Sequence, residues 1–323
     1  MKAILFDAPG DPSVLYYGDT PDPQPGEGEL LVRIRATALN RADLLQRRGG
    51  YAPPAGASSI LGLELAGEVE IGAGEFKPGD RVMAVVTGGG YAQKAVVPAG
   101  MAIRVPGWMG FEEAAAIPEA YLTAYLNLFT LGELRPNETV LIHAGASGVG
   151  TAAIQLAFTA GAQVLTTAGS IDKCKFCRDL GAAAAFDYHS ENIWEQIQIA
   201  TDDQGVNLIL DFVGASNISH NLRSLAVGGR LLLIGFLGGS KGEIDLSPIL
   251  TKSLTIQGTT LRRTPLDQKV ALSRAFESYA MPRFRAGALR AIIDSVYPLS
   301  EAAEAHRRME HNENIGKIVL SVQ

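Results

Sequence analysis

The sequence predicts an α/β protein in which a doubly wound parallel sheet is inserted between the two parts of an antiparallel β-barrel. Three observations carry this expectation. The chain has 323 residues, more than one hydrophobic core usually serves, so two domains are expected. Its first third consists of short apolar segments, residues 30–34, 67–71 and 81–86, divided by Pro- and Gly-rich stretches at 21–28 and 77–79. That spacing suits a compact antiparallel barrel. From residue 139 onward strand and helix patterns alternate, and such alternation builds a parallel sheet covered on both faces.

Taken in order, residues 1–7 read as a short strand, and Asp7 interrupts it too early for a signal-peptide core. Residues 112–131 place Ala, Leu and aromatic side chains at helical spacing and read as one helical stretch. Residues 139–144 form an apolar strand, 149–160 a helix closed by Gly161, and 163–167 a second strand. The next helix is 172–180, ending at Gly181 with Asp172 available to cap it. Further strands are expected at 184–187, 206–211, 229–235 and 254–259, then two helical stretches after Arg263 and a last strand at 317–322. The domains are expected to span residues 1–119 with 264–323, and residues 120–263.

Composition narrows the function classes. A net charge of −6, with no cluster of Lys or Arg, leaves no nucleic-acid footprint. No apolar run is long enough to cross a bilayer, so no membrane partner is expected and cytoplasmic placement follows by default. The chain has two cysteines, too few for a disulfide framework or a four-thiolate zinc site. Cys174 and Cys177 have C-x-x-C spacing, but they lie in a helix ending at Gly181 and read as two small residues on one helical face.

The segment Ile142-His143-Ala144-Gly145-Ala146-Ser147-Gly148-Val149-Gly150 joins the first sheet strand to its helix. Glycine permits the sharp turn, lets backbone N–H groups approach a pyrophosphate, and brings helix close to strand. Ser147 replaces the middle glycine of the usual fingerprint, with Gly148 beside it. The strand before, the helix after and the alternating sheet downstream make this a dinucleotide loop rather than a bare turn.

The end of the second strand discriminates between cofactors. A site for NAD places Asp or Glu there to accept hydrogen bonds from the ribose hydroxyls. Here the strand runs into Ala168-Gly169-Ser170, and Lys173 follows. A carboxylate repels a 2′-phosphate, whereas Ser170 and Lys173 at a helix N-terminus attract one. The predicted cofactor is NADPH.

At these residues the sequence resembles the medium-chain dehydrogenase/reductase superfamily, in its zinc-free quinone oxidoreductase (zeta-crystallin-like) branch. Within that branch it is similar to the tumour-suppressor-inducible type. The likeness spans nearly the whole chain and is carried by Ala38-Leu39-Asn40-Arg41-Ala42-Asp43, Ile60-Leu61-Gly62-Leu63-Glu64, Ala116-Ile117-Pro118-Glu119-Ala120, residues 143–156 and Asn314-Ile315-Gly316-Lys317. The resemblance implies a GroES-like β-barrel catalytic domain plus a Rossmann domain, with the active site in the cleft between them. It implies cofactor contacts at Asn40, Thr123, Gly145, Ser147, Gly148, Val149, Gly169, Ser170, Lys173, Tyr188, Gly235, Phe236, Leu237, Leu261 and Asn314. Tyr188 is expected near the 2′-phosphate, and Asn40 and Thr123 near the nicotinamide end. A homodimer is implied as well, with the apolar strand 254–259 closing the sheet edge.

Zinc enzymes of the superfamily carry cysteine where this chain has Asn40 and histidine where it has Leu63, and neither residue here is such a ligand. The five histidines, His143, His189, His220, His306 and His311, show no ligand spacing. No metal is expected. Under the resemblance, residues 40–51 face the acceptor. Tyr51 is the first candidate for orienting it, as both π surface and hydrogen-bond donor, with Asn40, Gln46 and Asp43 beside it. Glu64 and Glu119 read as polar supports, and no tuned proton donor stands out between Asn40 and Tyr51. The leading expectation is NADPH-dependent reduction of small quinones. An enoyl-thioester or enone reductase, and an NADPH-binding protein with little turnover, remain open alternatives.

Overall fold

The computed structural model describes residues 1–323. Two compact units emerge, one of residues 1–122, 261–284 and 290–323, the other of residues 123–260 and 285–289.

The first unit begins with β1 (Lys2–Leu5) and β2 (Tyr16–Asp19), an antiparallel pair. Its main sheet uses β3 (Glu29–Ala38), β4 (Glu64–Ile71), β5 (Arg81–Val85), β6 (Lys94–Pro98) and β7 (Ile103–Arg104). Burial alternates only over residues 32–36 of β3 and 67–70 of β4, and both strands also carry runs of consecutive buried residues. Gly67 of β4 lies so close to β3 that a Cβ there would meet the Arg33 carbonyl oxygen at 2.0 Å.

The second unit carries β8 (Thr139–Ile142), β9 (Gln163–Ala168), β10 (Ala184–Asp187), β11 (Val206–Asp211), β12 (Leu225–Leu233) and β13 (Thr255–Gly258). All pair in parallel, in the order β10-β9-β8-β11-β12-β13. The order reverses beside β8, and the carboxyl ends at such a reversal form a ligand crevice. Leu141, Leu165, Ile209 and Leu231 are sealed in its core, as strands covered on both faces require. The chain then returns to the first sheet through β14 (Ile293–Pro298) and β15 (Lys317–Ser321). β15 lies parallel to β14 and antiparallel to β3.

Several boundaries differ from the sequence reading. Residues 112–131 form two helices, Phe111–Ala115 and Pro118–Tyr125, followed by the π-helical turn Leu126–Leu131. Pro118 causes the break, because it lacks the N–H that would continue the first helix and suits the first position of the next. The strand expected at 229–235 is β12, four residues earlier at its start. It ends where the Ile234 N–H turns back to donate to the Asp211 carbonyl at 2.8 Å. The helix expected to be capped by Asp172 is Ile171–Asp179, and Ser170 caps it. β14 and the helices Ile193–Ala200 and Ile218–Ser224 are among the elements that the sequence reading did not place.

Candidate functional site

The dinucleotide loop leaves β8 with Ala144 in the left-handed region, at φ 51°. The unusual backbone conformation thus falls on an alanine, and the glycines serve close approach. A Cβ on Gly145 would lie 2.0 Å from Thr166 Oγ1 of β9, and one on Gly150 would lie 2.3 Å from the Ala144 carbonyl oxygen. Ser147 caps the helix Gly148–Thr159, its Oγ accepting from the Gly150 N–H at 3.0 Å. The N–H groups of Gly148 and Val149 open the first turn, where no intrahelical acceptor exists and an anion is favoured.

A buried chain of polar groups, not foreseen from sequence, holds this loop. His143 is sealed, with Nδ1 3.0 Å from Thr167 Oγ1 and Nε2 2.8 Å from Asn221 Oδ1. Asn221 Nδ2 donates in turn to Asp211 Oδ2 at 3.1 Å. Burial pushes the His143 pKa down. Asp211 also accepts from the N–H groups of Val213 and Gly214, fixing the turn after β11. That turn pairs with residues 235–239. The Leu237 N–H donates to the Phe212 carbonyl at 3.0 Å, leaving the side chains of Phe236 and Leu237 exposed beyond Gly235.

Gly169, Ser170, Lys173 and Tyr188 meet at one corner of the sheet. The Tyr188 N–H donates to the Ala168 carbonyl, and a Cβ on Gly169 would fall 2.4 Å from the Tyr188 hydroxyl. Ser170 Oγ accepts from the Lys173 N–H at 3.2 Å. The sequence neighbours Cys174 and Cys177 are buried free thiols. Burial pushes Cys177 up to about 12, so it is not a nucleophile near neutral pH. Thr123 is buried further along the same unit, its carbonyl accepting from Asn127 Nδ2 at 2.8 Å. Asn127 Oδ1 stays buried without a partner, on the π-helical turn.

In the first unit, a polar cluster is built on Glu64 of β4. Glu64 is fully buried; Oε1 accepts from Asn40 Nδ2 at 2.8 Å and from Lys317 Nζ at 2.7 Å. Lys317 also donates to Asn40 Oδ1 and to the Leu39 carbonyl. Glu64 Oε2 accepts from the Glu119 N–H at 2.8 Å, the first free donor after Pro118. Asp43 is sealed too. Its carboxylate accepts from the N–H groups of Asn40 and Gly62 and from the Tyr91 hydroxyl, and burial raises its pKa to about 6.

Gln46 has both ends committed: Nε2 donates to the Ser59 carbonyl, and Oε1 accepts from Arg262 Nη2 at 2.8 Å. Arg262 also donates to the Thr87 carbonyl and places its guanidinium 5.1 Å from the Tyr51 ring centre. Its Nη1 is buried without a hydrogen-bond partner, and the ring's negative face supplies part of what that N–H lacks. Tyr51 is half-buried, and burial raises its pKa, so the phenol keeps its proton. Leu261, beside Arg262, is buried, and Asn314 spends its amide N–H on the Gly316 carbonyl at 2.8 Å.

Glu119 is the residue whose chemistry the sequence concealed. Its side chain keeps part of its surface. Burial, and then the neighbouring Glu64 charge, push its pKa up to about 8. A carboxyl in that range is mostly protonated at neutral pH and can give up a proton.

Comparison with known proteins shows the family. Residues 26–107 match the alcohol dehydrogenase GroES-like domain, and residues 148–277 match the zinc-binding dehydrogenase family. The quinone oxidoreductase of Lama guanicoe is 32% identical over 329 residues, covering 99% of this chain and 97% of that protein. The crystal structure of Escherichia coli quinone oxidoreductase complexed with NADPH superposes with a TM-score of 0.89 at 29% identity, covering 99% of this chain and 100% of that one. The CurK enoyl reductase structure gives a TM-score of 0.88 at 26% identity, covering 100% and 99%. The barrel and sheet define a two-domain oxidoreductase of the GroES-like and Rossmann type. The chain belongs to the medium-chain dehydrogenase/reductase superfamily, in its quinone oxidoreductase branch.

The zinc implied by one of the matching family descriptions does not fit these residues. Asn40 is hydrogen-bonded to Glu64 and Lys317, and Leu63 is buried and apolar. No group of three His, Cys, Asp or Glu side chains converges as metal ligands.

Proposed function

We propose that this protein is an NADPH-dependent reductase of small quinones that works without a metal. The observation that carries the cofactor is the corner at Gly169, Ser170, Lys173 and Tyr188, which offers a hydroxyl, a cation and a phenol and no carboxylate at the end of β9. That corner would hold the 2′-phosphate, and the loop at Gly145, Ser147, Gly148 and Val149 would hold the pyrophosphate. Bound NADPH supplies a hydride. Thr123, Gly235, Phe236, Leu237, Leu261 and Asn314 are proposed as its further contacts, as in the family pattern.

On the acceptor side, Tyr51 presents a protonated phenol that no group of the protein engages in a hydrogen bond, over a ring pinned by Arg262. Asn40, Asp43 and Gln46 act by position, since their polar atoms are already engaged. A quinone is electrophilic enough to take hydride without a Lewis acid, so the hydride step calls for positioning and water exclusion rather than a metal. Asn40 and Leu63, standing where metal ligands would be needed, support the metal-free reading.

A second reading, reduction of enones or enoyl thioesters, is favoured by the protonated Glu119, because that reaction must place a proton on carbon. An acceptor screen separates the two. NADPH oxidation is followed with ortho-quinones, para-quinones and enoyl thioesters, before and after chelation. Quinones are expected to lead, ortho at least equal to para, with chelators without effect. Tyr51→Phe is expected to cost quinone reduction about 10-fold or less, the value of one neutral hydrogen bond. A loss of about 100-fold or more with enoyl thioesters as the better substrates would install the second reading. No turnover with any acceptor would leave a protein that only binds NADPH.

A further inference from the structure

Three carboxyl groups crowd the polar cluster of the first unit, and they differ in what their oxygens do. Asp43 accepts from two backbone N–H groups and the Tyr91 hydroxyl. Glu64 accepts from Asn40, Lys317 and the Glu119 N–H. Both are sealed from solvent. Glu119 differs: its backbone is anchored through its N–H to Glu64, while its carboxyl makes no hydrogen bond and keeps part of its surface. The groups whose charges reach that carboxyl come from five elements: Glu64 on β4, Lys317 on β15, Asp43 on the helix Arg41–Arg47, Arg262 on the turn Leu261–Arg263, and Lys269 on the helix Leu266–Arg285. Tyr51, under the Arg262 guanidinium, feels the Glu119 charge in turn.

We propose that Glu119 is a catalytic residue that donates its proton to the acceptor after hydride has arrived. The proposal rests on the quinone reading and deepens it. The balance is simple. Hydride brings two electrons and one proton to the quinone, leaving a hydroquinone monoanion and NADP⁺. The O–H bond of the Glu119 carboxyl breaks, a new O–H bond forms on the anionic oxygen, and the Glu119 carboxylate regains a proton from water. Burial and the fixed Glu64 charge keep the acid loaded through neutral pH, with a pKa of about 8. Lys317 and Arg262 act in the opposite sense and stabilise the carboxylate once the proton has left. A spent neighbour such as Asp43, with its oxygens already taken, has no comparable route.

The test uses the full chain with NADPH and a small para-benzoquinone, comparing wild type, Glu119→Gln and Glu119→Asp. In wild type the rate is expected to be level below about pH 8 and to fall above it as Glu119 loses its proton. Glu119→Gln, which keeps shape and cannot donate, is expected to lose about 100-fold or more in kcat. Its KM for the quinone should be little changed and its pH profile flat. Glu119→Asp should recover part of the rate. Independently of turnover, isotope-edited infrared titration of the cofactor-free protein should show a carboxyl changing state near pH 8 that is absent from Glu119→Gln. If wild type reduces no quinone, the quinone reading falls and this role with it. If wild type is active and Glu119→Gln keeps its rate and profile, or the carboxyl titrates at an ordinary glutamate pH, only the donor role is overturned.

Discussion

Lys317 Nζ stands 2.7 Å from Glu64 Oε1, with 4% and 0% of the two side chains exposed. Three acceptors surround the ammonium, the Leu39 carbonyl, Asn40 Oδ1 and Glu64 itself, so desolvation of the charge is met by a full set of hydrogen bonds. Removing one partner strands the other. Lys317→Met is therefore expected to destabilise the first unit by about 3–5 kcal/mol, and adding Glu64→Gln to recover much of that loss. Urea unfolding followed by Trp108 fluorescence in a Trp194→Phe background reads this unit alone, because the chain's two tryptophans fall one in each unit. Equal stability of wild type and Lys317→Met would refute the argument.

His306 makes the pH dependence of the same unit predictable. Arg47 Nη1 lies 3.0 Å from His306 Nδ1, and a guanidinium only donates, so Nδ1 accepts. The ring proton is then on Nε2, 3.2 Å from the Tyr91 hydroxyl, which in turn donates to Asp43. Burial, reinforced by the charges of Arg47 and Arg48, pushes His306 down to about 3. Since the unfolded chain binds this proton near pH 6.5 and the folded chain does not, the stabilisation is present above 6.5 and lost as pH falls toward 3. Between pH 7 and 5 the loss is about 2 kcal/mol. Asp43, raised to about 6, contributes with the opposite slope. The measurable quantity is thus the difference between wild type and His306→Gln, which keeps an acceptor and a donor without titrating. Identical slopes would show that the histidine does not titrate on unfolding.

Lys173 is expected to carry part of the preference for NADPH. A charge-assisted hydrogen bond to a phosphate is worth about 1.5–3 kcal/mol, so Lys173→Ala should weaken NADPH binding roughly 10- to 100-fold while NADH binding hardly changes. Calorimetric titration with both cofactors checks it. Equal losses would mean that the lysine acts on the helix Ile171–Asp179 rather than on the ligand.

A homodimer is expected to form through β13. This strand is one of the two edges of the parallel sheet, and Val227, Leu246 and Leu250 leave large apolar side chains exposed on the chain before it. Pairing two such edges across a twofold axis would satisfy the backbone groups of both and bury the apolar side chains. Light scattering at micromolar concentration should give twice the chain mass. A Leu250→Lys variant should shift the balance toward monomer, and a wild-type monomer would count against the interface.

Local patterns were legible in the sequence. The glycine loop between β8 and its helix, the alternation of strand and helix, and the absent acid after β9 are all written within a few consecutive residues. β14 was hidden because none of its side chains is buried, some being half-buried and Val296 and Pro298 exposed, which leaves no clean apolar two-residue period. The π-helical turn has no residue signature, and Pro118 makes sense as a helix start only once the break before it is known. The chemistry of Glu119 was harder still. It depends on Glu64, 55 positions away, and the cluster around it depends on Lys317, 277 positions from Asn40. Spacing along the chain carries no trace of such meetings. They arise when the sheet brings β4, β15 and the helix after Asn40 to one place, and only then can burial move a pKa.

The position of β15 has a bearing on how the molecule is made. Residues 123–260 are nearly continuous in the chain and can complete their sheet while synthesis is still under way. The first unit cannot. β15 sits between β14 and β3 in its sheet and delivers the ammonium that neutralises Glu64. Until residue 321 has left the ribosome, β3 has an open edge and Glu64 has no counter-charge, so strands made well before the central sheet settle after it.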